Sequence, residues 1–159
     1  MSNLTPFAII ELKGKVIMEK IFKKITNLSV VNYVVLLIVF LLVFLTKGNN
    51  ERESTRAVST NILLGSTIFS VAIPILFRTG FYNKSIKNKG LKQEEYLKFK
   101  ILTIVSVFIG SLFSLYGYYY PIYIYHLYIA IIMSLWGLYS IFPSRKIYDK
   151  EVITYQVKK

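Results

Sequence analysis

His126 is the only histidine in the chain, and Tyr116, Tyr118, Tyr119, Tyr120, Tyr123, Tyr125 and Tyr128 crowd around it. An imidazole among phenols can hold a polar ligand or pass a proton near neutral pH. His126 is also the only ionisable group other than Tyr inside a long uncharged run, where such groups are functional suspects. His126, Tyr119 and Tyr123 therefore form the candidate ligand or polar site. A structural role outweighs that one. His126 lies about five residues, or ~8 Å of helix rise, from the turn at Pro121, so a Tyr hydroxyl or a backbone carbonyl can satisfy its ring. The tyrosines themselves suit an interfacial belt, with rings toward lipid and hydroxyls toward head groups.

Little else in the chain suits catalysis. There is no cysteine, so thiolate nucleophiles, thiolate metal sites and disulfides are excluded. One His without Cys or a carboxylate within the spans falls short of a metal or haem ligand set. Coupled transport commonly uses a carboxylate inside the membrane, and the apolar runs hold none. No HExxH, GxSxG, Walker or dinucleotide glycine pattern occurs. The expectation is a non-enzymatic protein with no catalytic residue, cofactor or metal.

The elements that must position these residues are apolar runs. No Lys, Arg, Asp or Glu interrupts Ile25 to Thr46, Ala57 to Phe77, or Ile101 to Ser144. A hydrocarbon core of ~30 Å takes ~20 helical residues, so the last run holds two helices, with Gly117 to Pro121 as the turn. The fold class is all-α, an integral membrane four-helix bundle with spans at about 28–46, 60–77, 101–118 and 121–142. Residues 25–144 form the transmembrane domain, 1–24 a basic segment suited to the membrane interface, and 145–159 a charged tail, frayed or extended. In 1–24, Ile17, Ile21, Ile25 and Leu28 share one helical face, as in a helix lying on a membrane before turning into it. The run after this segment is too long for a signal peptide, and Met18 is itself a plausible start of translation.

The net charge is +12, from 20 Lys and Arg against 8 Asp and Glu. In a soluble protein this would suggest nucleic acid; here its placement assigns topology instead. Five cations precede the first span, three lie between spans one and two, seven between two and three, none in the third connection, and five in the tail. Positive residues collect in cytoplasmic loops, and an even number of spans puts both termini on one side. The expected location is the cell membrane with both termini cytoplasmic. The lipid bilayer is the first partner, and the basic connection 78–100 attracts anionic lipid head groups.

Close helix packing in lipid depends on small residues. Ser106, Gly110, Ser114 and Gly117 recur at spacings of four, four and three, which is one helical face, and His126, Ala130, Ser134 and Gly137 repeat the pattern. These faces are expected to join spans three and four as an antiparallel pair. Asn61, Gly65 and Ala72 form a stripe on span two, and Pro74 deletes a backbone donor and should bend its end. Span one has no Gly or Ala and no Ser after Ser29, so it should be the most lipid-exposed helix.

The layout resembles that of small uncharacterised bacterial membrane proteins with four spans, a basic central loop and a short charged tail. Tyr96-Leu97-Lys98-Phe99-Lys100-Ile101 and Pro143-Ser144-Arg145-Lys146 carry the likeness, which implies a fold and no activity. The leading function is contact between helices, as a homo-oligomer or as an accessory subunit of a membrane protein partner. The alternatives are a small transporter or channel lined by Asn61, Ser70, Ser106 and Ser114, and a sensor using the Tyr and His126 cluster.

Overall fold

A computed structural model describes residues 6–46, 55–120 and 122–157, with side chains from residue 16 onward. It is all-helical, with no strand among the described residues. Helix α1 is Pro6–Thr46; α2 (Arg56–Thr67), a π-turn (Ile68–Ala72) and α3 (Ile73–Lys87) run on as one rod; α4 is Gln93–Tyr119, α5 Ile124–Ser140 and α6 Arg145–Thr154. Three stretches are long and apolar enough to cross a membrane: Val16–Thr46, Arg56–Lys87 and Gln93–Tyr119. Helix α5 has 17 residues, and it joins that set only when taken together with α6, from which it bends by 76°.

Helix α4 is the centre of the bundle. It packs against α1 on one side and against α2, the π-turn, α3 and α5 on the others. From Val30 to Leu45 the outward face of α1, including Val31, Leu37, Leu42 and Phe44, is exposed and apolar, as a lipid-facing helix requires. Its inward seam is Met18, Ile25, Ser29, Asn32 and Leu36, steps of seven, four, three and four that keep one side toward α4. Ile17 lies outside that seam and is exposed. There is no break between an interfacial segment and a span: one unbroken helix carries the chain from Pro6 to Thr46.

Three other expectations change. In the connection 78–100 the sequence suggests turns at Asn83, Asn88 and Gly90 and helix from Gln93; α4 does begin at Gln93, but α3 runs through Asn83 to Lys87. The turn is confined to 88–92, where Lys89 (φ 50°) and Gly90 (φ 111°) take left-handed conformations. The tail is an ordered helix whose Tyr148 and Glu151 are buried. The stripe of span two that faces the bundle is Ser59, Ile62, Ser66, Ser70 and Pro74, while Asn61 points outward.

Pro74 explains the π-turn. It has no N–H to return to the Ser70 carbonyl, and the helix widens just before it, with the Ile73 N–H reaching back to the Ile68 carbonyl. The freed Phe69 carbonyl takes a 2.6 Å hydrogen bond from the Ser106 hydroxyl of α4. A Cβ added at Gly110 would come within 2.7 Å of the Ser70 backbone nitrogen, and one at Gly137 within 2.8 Å of the Ser70 carbonyl oxygen. The π-turn is thus clamped between a glycine of α4 and a glycine of α5. The small faces of α4 and α5 do meet, but between them they also hold span two. Gly65 lies at the edge of the junction, where a Cβ would meet the Phe113 ring at 2.7 Å.

Gly110→Ala should lower the melting temperature of the detergent-solubilised protein, costing about 1–3 kcal/mol, because backbone cannot yield as a side chain can. Gly80→Ala is the control. No atom lies within 4 Å of a Cβ there, so helix propensity alone should stabilise it by about 0.5–1 kcal/mol. Equal tolerance of both would show that the clamp does not exist.

Candidate functional site

The bundle has a polar knot at each end and a hydroxyl triad between them. At the tyrosine-rich end, Ser59 of α2 is fully buried. Its Oγ lies 2.7 Å from His126 Nδ1 and accepts the Tyr123 N–H at 3.2 Å. A serine hydroxyl has one proton and two lone pairs, so Ser59 can hold the ring and the Tyr123 backbone at the same time. The partner of His126 is therefore a serine of span two and not a tyrosine hydroxyl. Tyr123 instead offers its ring, edge-on at 5.8 Å between centroids. Tyr119 and Tyr123 both expose their side chains.

In the middle, Ser114 and Ser134 approach to 2.6 Å, and Ser66 joins them at 2.8 Å and 3.2 Å. The carbonyls of Ala130 and Gly110 accept from this group. All three hydroxyls are thereby satisfied away from water, as buried polar groups must be. Ser70, Ser106 and Ser114 are likewise buried inside one chain. Three of the four residues assigned to a pore lining therefore face the chain's own helices.

The knot at the basic end involves a residue that sequence reasoning left in a loose tail. Glu151 of α6 is buried. Its Oε2 receives the Lys100 ammonium at 2.5 Å and the Tyr96 hydroxyl at 2.8 Å, and Arg78 approaches Oε1 at 3.7 Å. Tyr155 packs edge-on against Phe99, with ring centroids 5.3 Å apart, and its carbonyl accepts the buried Ser85 hydroxyl at 2.5 Å. Burial, reinforced by the Glu151 charge, raises the Tyr155 phenol above its usual range. Tyr148 donates to the Met18 carbonyl at 2.9 Å, and its ring and Phe22 flank the Arg145 guanidinium. Helix α6 is thus fastened to α1, α3 and α4 at once. The one readable signal was the spacing of Tyr148, Glu151 and Tyr155, three and four residues apart on one helical face.

Above this knot, a cavity of about 70 Å³ runs from Glu151, Lys100 and Arg78 past Thr103 and Ser140 to Ser70. The Ser70 Oγ is buried without a protein partner among the described residues. A single water needs roughly 10–15 Å³ of such volume, so size and polarity both suit water here. The cavity adjoins the π-turn, where the backbone is already irregular. Among the described residues, no three His, Asp or Glu side chains come together as a metal site would require.

The chain matches no protein-family model, no curated protein and no solved structure. The likeness of layout to four-span bacterial proteins thus rests on the quoted segments alone.

Two outcomes are expected from these knots. His126→Gln should leave folding largely intact, since an amide can still exchange a hydrogen bond with Ser59. His126→Leu should cost about 1–3 kcal/mol by removing the side-chain partner of the buried Ser59 hydroxyl, read as a lower melting temperature; equal melting of the two variants would contradict the geometry. Lys100→Met alone should cost about 3–5 kcal/mol by stranding the Glu151 charge, and adding Glu151→Leu should restore most of it. A double variant less stable than Lys100→Met would show that the pair is not the fastening.

Proposed function

We propose that this is a multi-pass protein of the cell membrane, with four spans and both termini cytoplasmic, which does no chemistry of its own and serves as an accessory subunit. The observation that carries this reading is the folded cap at the basic end. Helix α6, the 88–92 turn and the first turns of α4 are locked together by Glu151, Tyr155 and Ser85, so the surface they present is preformed. Lys87, Lys89, Lys92, Lys98, Lys146 and Lys150 are distributed over it. A preformed surface loses little entropy on binding, and a basic one suits an acidic partner or an anionic leaflet.

The small-residue faces favour a subunit over a homo-oligomer. Gly110, Gly137, Ser114 and Ser134 are used up inside one copy, so self-association would have to rest on the lipid-facing side chains. Topology follows from the cations, which crowd the end bearing α6 and are sparse beyond Thr46.

Extraction of the tagged protein from its native membrane in mild detergent should bring down a second membrane protein in fixed ratio. A reporter fused at Asn88 should read cytoplasmic, and one at Asn50, which lies outside the described residues, external. A lone monomer in several detergents would overturn the subunit reading, and a cytoplasmic signal from Asn50 the four-span topology.

A further inference from the structure

A second cavity at the basic end, about 530 Å³, lies between α3 and α6 and is lined by Arg78, Thr79, Tyr82, Lys150, Thr154 and Tyr155 among others. Its charge is not cancelled from within. The one carboxylate named in its lining, Glu151, is held by Lys100 at 2.5 Å and Tyr96 at 2.8 Å, so that pair is internally neutral. Arg78 reaches Glu151 only at 3.7 Å and leaves 61% of its side chain exposed. A guanidinium has five N–H donors in a planar fork, more than Glu151 and the Tyr155 side chain can use. Lys150 brings a second cation from the opposite wall. The Thr154 hydroxyl proton is engaged by the Lys150 carbonyl at 2.8 Å, which leaves Thr79 and Tyr82 as neutral donors. Two cations and two hydroxyls around one cleft suit an anion with several oxygens.

The depth of the cleft narrows the choice of anion. Ile75 and Leu76, one turn before Arg78 on the same rod, are 56% and 68% exposed and lie on its apolar part. On the α6 side the apolar residue in the lining is Ile147. The apolar surface thus gives way to cations within one helical turn, as it does at the level of lipid phosphates. Phosphate suits an arginine fork, which can take two oxygens at once, and basic pockets beside membrane helices take lipid head groups.

We propose that this cleft binds the phosphate of an anionic phospholipid, with Arg78 and Lys150 on its oxygens and an acyl chain along Ile75 and Leu76. The proposal rests on the reading of this chain as a membrane protein, and it holds whichever way the basic end faces.

The test is lipid retention by the full chain in mild detergent, measured by native mass spectrometry with phosphatidylglycerol, phosphatidylcholine of the same chains, or inorganic phosphate. Phosphatidylglycerol should be retained over phosphatidylcholine. Arg78→Gln with Lys150→Gln should weaken that retention about 30-fold, the loss expected for two head-group cations. Lys150→Gln alone, at an exposed residue outside the Glu151 knot, should weaken it about fivefold, which keeps the test open if the double variant fails to fold. Lys87→Gln with Lys89→Gln removes the same charge from the turn and should weaken retention far less, by no more than about fivefold in all. Equal loss in both double variants would mean diffuse attraction and overturn the site. Saturable inorganic phosphate that displaces the lipid would reassign the cleft to a free anion. Retention that depends on Arg78 in a protein whose Asn88 reporter reads external would keep the site and discard the topology.

Discussion

Backbone contact at Ser70 is the constraint on which the rest of the bundle depends. Between helices surrounded by hydrocarbon there is no hydrophobic gain from association, so van der Waals contact and hydrogen bonds must hold them. Gly110 and Gly137 let two helices reach the Ser70 backbone from opposite sides. Only at that separation can Ser106 reach the Phe69 carbonyl and Ser114 reach Ser134. The contact and the hydroxyl network are therefore one device: the glycines set the distance, and the serines make use of it.

The knot around Glu151 does for the basic end what the glycines do for the middle. A lone carboxylate at 8% exposure would be costly, and it is tolerated because Lys100 and Tyr96 meet it. One anion thereby draws α6 against α4 and leaves Arg78 half-committed. The excess of positive charge is thus shaped by a single negative group, which decides which cations are internally paired and which remain turned outward.

Much of this was legible in the residues. The uncharged runs gave helices of the right length, and the four-residue spacing of Ser106, Gly110 and Ser114 marked a contact face. The partner of that face was harder to read. A spacing shows which residues share a side and not what lies against it, so Ser59 gave no sign of His126, and Ser70, named only as a pore-lining candidate, gave none of the two glycines against it. The stripe on span two was misplaced because Asn61, Gly65 and Ala72 were weighed by polarity and size, whereas a serine chain with Pro74 at its foot faces inward. Glu151 was hidden for another reason. In a short charged tail a carboxylate is ordinarily solvated, and only the long-range approach of Lys100, 51 positions earlier in the numbering, makes it a core residue.

The π-turn also fixes angular phase. Each residue of a helix turns the chain by about 100°, and a wider turn takes up one residue more than an α-turn over the same height. Everything after Ala72 is therefore rotated relative to α2 by roughly the angle of one residue. Ser59 and Ser66 before it, and Arg78 and Ser85 after it, reach partners on one side of the rod, His126, Ser114, Glu151 and Tyr155 in turn, only because of that offset. A chain shortened by one residue between Ile68 and Ala72 could keep every side chain of the cap and still present Arg78 to the wrong quarter. The length of this segment, as much as its composition, is part of what the sequence encodes.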